Sequence, residues 1–235
     1  MPKYKIADFL VELEPLYDLT AKRAEKYKVE TDKPTDFSIS LKQEHLEKYK
    51  LENPDIPSEM IEYNLLGSRF TSNLLMREAY VLHSSAVVLD DEAYLFSATS
   101  GTGKSTHTSR WLNYFGDTRT YIINDDKPAL RYIDGKFYVY GTPFSGKHDI
   151  SVNKCVPLKA IYMLSRAETN SVTPAIPKTA ISFLLKEIMR THKERSIALE
   201  LDLLIKTLNE VPVFDFKCNI SDEAVETSYN AVKGV

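Results

Sequence analysis

The sequence predicts an α/β protein, a β-sheet flanked by helices with a small α+β layer ahead of it. Three observations carry that prediction. An apolar run, Ala93-Tyr94-Leu95-Phe96, leads into Ser97-Ala98-Thr99-Ser100-Gly101-Thr102-Gly103-Lys104-Ser105-Thr106 and then into a helical segment from Thr106 to Phe115. That is the order strand, glycine-bearing loop, helix. A second short apolar stretch, Tyr121-Ile122-Ile123, ends in Asn124-Asp125-Asp126. Two strand pairs are joined by turn residues, Asp90-Asp91-Glu92 in one and Asp134-Gly135 in the other, and Asp-Gly is a strong hairpin signal.

Taken in order, residues 3–14 alternate loosely through Tyr4, Ile6, Phe9 and Val11 and read as a strand or strand pair. Tyr17 to Lys28 reads as a short helix or a loop, Phe37 to Leu41 as a half-buried strand and Gln43 to Lys50 as a polar helix. Pro57 suits a first helical position, and a helix running to about Arg77 lines up Met60, Ile61, Leu65, Leu66, Phe70, Leu74 and Leu75 on one stripe. Residues 1–79 therefore form the α+β layer, packed on a core from 80 to 235 with no linker-like segment between them. In the core, Ala86–Leu89 and Ala93–Phe96 form a hairpin feeding the glycine loop, and Gly116 stops the loop helix. Leu130–Ile133 and Phe137–Tyr140 pair, Gly141 to His148 is a loop, and Leu158–Leu164 is a buried strand. Ile181–Met189 and Ile197–Leu208 are amphipathic helices, Val211–Phe216 is a last strand, and Ser221-Asp222-Glu223 caps a terminal helix.

Composition narrows the function classes. The chain has 235 residues, 43% of them hydrophobic, enough for a continuous core. A net charge of −3 offers no basic excess, so no nucleic-acid partner is expected. Cys155 and Cys218 are too few for a disulfide framework and lack metal-ligand spacing, so both are expected to be reduced and structural. Met1-Pro2-Lys3-Tyr4-Lys5 precedes no long apolar run; neither signal peptide nor membrane span is expected, and the expected location is cytoplasmic.

The glycine loop has the physical properties of a phosphate cradle. Gly101 and Gly103 lack a Cβ that would block an anion from the backbone amides, and the helix start adds unpaired N–H groups and about half a positive charge. Residues Ser100, Gly101, Thr102, Gly103, Lys104, Ser105 and Thr106 would wrap the phosphates, with Lys104 on the outer ones and the Ser105 hydroxyl on Mg²⁺. Ala98 stands where the full motif has its first glycine. Two adjacent carboxylates, Asp125 and Asp126, permit one to hold metal while the other accepts a proton from an attacking hydroxyl. His83 is either a structural histidine or a site residue. His107 is expected to face solvent. Thr142-Pro143-Phe144-Ser145-Gly146-Lys147-His148 is either a second clamp, with Ser145, Gly146 and Lys147 toward the substrate, or a surface turn. Arg131 and Arg166 are weaker candidates for neutralising transition-state charge.

Leu82-His83-Ser84-Ser85-Ala86-Val87-Val88, the hairpin, Ser100–Thr106 and Asn124-Asp125-Asp126 together resemble the catalytic core of bacterial HPr kinase/phosphorylase, whose fold is similar to the nucleotide core of phosphoenolpyruvate carboxykinase. The resemblance covers about residues 80–165. It implies a mixed sheet flanked by helices. It also implies that His83 contacts a phosphate or the second acid, that Asp125 is the general base, and that Asp126 and Ser105 lie near Mg²⁺. Thr106 departs from the acidic residue of HPr kinase, the downstream arginine- and glycine-rich segment is not recognisable, and the N-terminal layer differs. The chain looks more like HPr-kinase-like proteins with Asn-Asp-Asp-Lys and Pro-Phe-Ser-Gly-Lys segments, some of which phosphorylate serine on a peptide or a free amino acid.

The expectation is an ATP-dependent serine kinase using ATP and Mg²⁺, with catalytic Asp125, His83 and Lys104. Its acceptor would be a hydroxyl on a small protein, peptide or amino acid. The alternative is an ATP-binding switch or assembly protein that hydrolyses slowly or not at all. Carboxykinase chemistry on an oxo acid would need an arginine cluster that the sequence does not display, and assembly into a homo-oligomer stays open.

Overall fold

The computed structural model describes residues 1–189 and 194–234. The chain begins with strands β1 (Lys3–Ile6) and β2 (Phe9–Glu14), helix α1 (Asp18–Ala24), β3 (Lys28–Val29), β4 (Phe37–Ser40), α2 (Gln43–Glu52) and α3 (Ser58–Leu75). These strands form one sheet in the order β3-β1-β2-β4. Ala7 and Asp8 both take positive φ, the backbone of a tight hairpin turn, although neither is glycine. The α3 stripe covers the sheet through Ile61, Leu66, Phe70 and Leu74, all buried. Glu62 is buried in the same helix, where it accepts the amides of Leu16 and Tyr17 just ahead of α1. Pro57 sits at the cap before α3 and not inside it.

The remaining strands form a mixed nine-stranded sheet. They are β5 (Ala79–Val81), β6 (Ser84–Leu89), β7 (Glu92–Ser97), β8 (Thr120–Asn124), β9 (Ala129–Ile133), β10 (Lys136–Tyr140), β11 (Cys155–Arg166), β12 (Ser171–Pro174) and β13 (Val213–Cys218). Helices α4 (Lys104–Phe115), α5 (Pro177–Glu187), α6 (Glu194–Glu210) and α7 (Asp222–Ala231) complete the chain. The main order is β5-β9-β10-β11-β7-β6-β8, with β13 also on β11 and β12 on β13. The β6–β7 turn uses Asp90 and Asp91, and the β9–β10 turn uses Asp134 and Gly135, all at positive φ.

The alternation along β6 explains the layers. Val87 and Leu89 belong to the core under α4 and α7, with Trp111 and Val225; Ala86 and Val88 belong to the core under α5 and α6, with Leu184 and Leu203. A strand covered on both faces reads as an unbroken apolar run. The α+β layer is tied to this sheet by Arg131, whose guanidinium donates to the Ala7 carbonyl at 2.7 Å and lies 3.9 Å from the Phe9 ring, and by Tyr140 donating to Asp8 at 2.7 Å. Neither cysteine is in a disulfide; Cys218 is buried and Cys155 exposed. Among the described residues no helix is long and apolar enough to cross a membrane.

The expected solvent position of His107 is overturned. The buried face of α4 is Lys104, His107, Thr108 and Trp111, a helical stripe whose first members are polar, so hydropathy alone hid its phase. His107 is 4% exposed, its ring lies 4.5 Å from Phe96 and 5.1 Å from Phe216, and it accepts the Trp111 indole N–H at 3.1 Å. Burial, with Arg110 adding repulsion, pushes its pKa down to about 3. An unfolded histidine titrates near 6.5, so between about pH 6.5 and 3 the unfolded chain binds the extra proton. Stability therefore falls as pH drops through that window, by about 5 kcal/mol at most from this group. Urea denaturation from pH 7 to pH 4 should show that fall, and His107→Gln, which keeps an acceptor for the indole, should make it shallower. An equally steep fall in the variant would refute the assignment.

Candidate active site

Strand direction collects the site. β8 and β7 both pair antiparallel with β6, so they run the same way, and β11 and β13 run parallel to β7. The carboxyl ends of β7, β8, β11 and β13, and the start of β6, therefore share one edge, where ligands of α/β sheets bind. Each strand delivers one component there. The glycine loop follows β7, Asp125 and Asp126 follow β8, Arg166 ends β11, Asn219 and Ile220 follow β13, and His83 precedes β6.

The loop leaves most of its backbone amides without a partner in the chain. Gly101 has φ +80° and Gly103 φ +121°, and a Cβ on either would meet nothing within 4 Å, so backbone conformation and not crowding calls for glycine. Thr102 donates its amide to Thr99 at 3.3 Å, and its hydroxyl donates to the same carbonyl at 2.8 Å. Among the described residues, Thr102 is the only one from 100 to 106 whose amide is used within the chain. Ser100 and Thr106 are exposed and Ser105 is half-buried. Lys104 opens α4 and is buried, its ammonium donating to the Ala98 carbonyl at 2.7 Å. Burial lowers its pKa, while Glu187, Asp126 and Asp125 pull it back up. Lysine and acids thus share one electrostatic space.

Asn124 builds the turn that presents the two acids. Its amide nitrogen donates to Thr142, and its side-chain oxygen accepts the amides of Asp126 at 3.0 Å and Lys127 at 2.7 Å. The acids then face different neighbours. Asp125 is buried and accepts the Ser85 hydroxyl at 2.6 Å; Ser85 lies 2.7 Å from the Thr108 hydroxyl, on the second turn of α4. Asp126 lies 3.4 Å from His83 Nε2 and 2.9 Å from the Lys127 ammonium. The His83 Nδ1 atom is 2.8 Å from Glu187, whose backbone carbonyl also accepts the His83 amide at 2.9 Å.

The second loop reaches the same place in part. Gly146 packs so closely on Asp126 that a Cβ there would come within 2.8 Å of its Cβ. Its amide donates to the Tyr63 hydroxyl, 3.3 Å away on α3, and Ser145 donates to Asp149 at 2.8 Å. Lys147 is exposed on that turn. Arg131 lies elsewhere, at the contact with the α+β layer, so it is no candidate for transition-state charge. Arg166 is on the loop itself, donating to the carbonyls of Thr102 and Gly101. Glu187, Ser85, Thr108 and Tyr63 were not foreseen from sequence. Ser85 lay inside the His83 segment, but nothing local links Glu187 to a histidine 104 residues away.

Two clefts flank the loop. One of about 450 Å³ is lined by Thr102, Thr106, Arg110, Arg166, Asn219 and Ile220. The other, about 470 Å³, lies along Thr99, Ser100, Gly101, Ser165 and Phe183. Among the described residues no group of three or more His, Cys, Asp or Glu could hold a metal ion by itself. The nearby donors are hard oxygens, the Ser105 hydroxyl and the acid pair. That fits Mg²⁺, which takes one or two carboxylates and completes its shell with water and phosphate.

No family model matches the sequence, and no curated protein matches it. Among solved structures, the chain is similar to the Hpr(Ser) kinase/phosphatase from Coxiella burnetii, at 12% identity over 64% of this chain and 95% of that one, with a TM-score of 0.37.

Proposed function

We propose that the protein transfers a phosphoryl group from ATP to a hydroxyl acceptor, a serine on a small protein or peptide or a free amino acid. One observation carries the reading: a loop of open amides and its lysine open a helix that is hydrogen-bonded, through Thr108 and Ser85, to an acid pair at the same sheet edge. The amides of residues 100–105 would hold the phosphates, and Lys104 would exchange the Ala98 carbonyl for their outer oxygens. The 450 Å³ cleft beside the loop suits the nucleoside. Mg²⁺, when bound, would neutralise charge on the transferring group.

The surroundings of the acids favour exchanging the roles expected from the resemblance. Asp125 is tied through Ser85 and Thr108 to the turns of α4 that carry Ser105, which suits the metal side. Asp126 faces His83 and the Gly146 turn, which suits the acceptor side. The acceptor oxygen would form its bond to the γ-phosphorus as the bond to the ADP oxygen breaks, and the hydroxyl proton would pass to Asp126. His83, between Asp126 and Glu187, would hold that carboxylate in place and offer the proton a way out.

Labelled-ATP transfer to free serine and to lysate fractions of the source organism, with products identified by mass spectrometry, tests the reading. Tight MgATP binding by the wild type with no labelled acceptor would favour the switch instead. Lys104→Ala should cut transfer by about 100-fold or more with an unchanged circular dichroism spectrum; retained transfer would reject the loop. Asp126→Asn should keep MgATP affinity in calorimetry and lose about 10²–10⁴ in transfer rate, whereas Asp125→Asn should weaken Mg²⁺-dependent binding. The reverse pattern would return the base role to Asp125.

A further inference from the structure

We infer that Arg166 is a positioning residue that aims the loop amides at the nucleotide phosphates, an inference that rests on the nucleotide reading above. β11 runs parallel to β7, and its last residue arrives beside the loop that follows β7. The Arg166 guanidinium forks across two successive loop carbonyls. Its Nε donates to Thr102 at 2.8 Å and its Nη2 to Gly101 at 2.6 Å.

The fork has a geometric consequence. In a trans peptide unit the C=O and N–H point in opposite directions. Drawing the Thr102 carbonyl toward Arg166 turns the Gly103 amide the other way, and that amide is one of those left open. Drawing the Gly101 carbonyl does the same for the Thr102 amide, which closes the loop on Thr99. Gly101 and Gly103 both hold positive φ, and glycine populates negative φ about as readily, so neither residue fixes that conformation by itself. The guanidinium supplies the constraint those residues lack. Among the described residues no carboxylate forms an ion pair with Arg166; the donors that are used serve the loop. Lysine cannot replace this planar fork, because its ammonium is a compact charge on a flexible stem.

The role is distinct from the transition-state neutralisation expected of this arginine, since it acts on nucleotide binding before chemistry. The test is MgATP titration calorimetry on wild type, Arg166→Ala and Arg166→Lys, and on Arg166→Ala with millimolar methylguanidine. Hydrogen exchange of the peptide spanning 98–106 is measured in the nucleotide-free proteins. The expected result is an affinity loss of about tenfold or more in both variants, faster exchange in that peptide, and partial recovery with methylguanidine in Arg166→Ala only. Should the alanine variant fail to fold, the lysine variant carries the test. Unchanged affinity would overturn the inference. So would a loss with unchanged exchange, which marks a direct ligand contact, or a loss that methylguanidine does not repair, which marks a damaged fold. A wild type that binds no MgATP would instead overturn the nucleotide reading itself.

Discussion

The register around Ser97 is the constraint on which the site depends. This last residue of β7 pairs with Ser84 of β6 on one side and Met163 of β11 on the other, and its hydroxyl donates to the His83 carbonyl at 2.9 Å. Those pairings fix where the glycine loop leaves the sheet, where His83 enters it and where Arg166 arrives. A slip of one residue would exchange the two faces of β7 and expose Leu95 or Phe96 to the wrong layer. The cores on both faces therefore enforce the alignment of the polar groups at the edge. Packing energy and site geometry are the same constraint seen from two positions.

The α+β layer contributes to the same edge from outside the large sheet. Tyr63 on α3 accepts the Gly146 amide, its ring is flanked by the Arg23 guanidinium at 4.7 Å and the Lys127 ammonium at 5.5 Å, and Phe144 lies 5.5 Å from it. From the adjacent turn, Lys26 donates to the Ser151 carbonyl at 2.8 Å. The loop that sits on Asp126 is thus braced by residues far earlier in the chain. Gly141 begins that loop so close to the Val152 carbonyl that a Cβ would overlap it, which leaves glycine as the residue that fits.

Much of this was legible where local chemistry decides structure. The Asp-Asp and Asp-Gly turns, the loop between strand and helix, and the Ser221 cap, which accepts the Ala224 amide, all follow from residues adjacent in the chain. The Ala7–Asp8 turn lacks such a signal, and β3 and β12 are too short to show a period. β11 extends beyond the apolar stretch 158–164 because Cys155–Pro157 pair with β10 and Ser165–Arg166 pair with β13, partners that no local window contains. The same limit hid Glu187 and Tyr63. The loop and the acids announced themselves by sequence, whereas the groups that hold them in place come from across the fold. His107 differs from its sequence expectation for another reason: a polar residue at a helix start reads as exposed, and its ring partners Phe96 and Phe216 come from strands distant in sequence.

In the proposed reaction the glycine loop and the acid pair act on one ligand. Hydrogen exchange of the wild-type protein with and without MgATP tests it most directly. Slowed exchange is expected in the peptides covering both 98–106 and 124–127 at the same nucleotide concentration. Protection of the loop alone, or of neither segment, would contradict it.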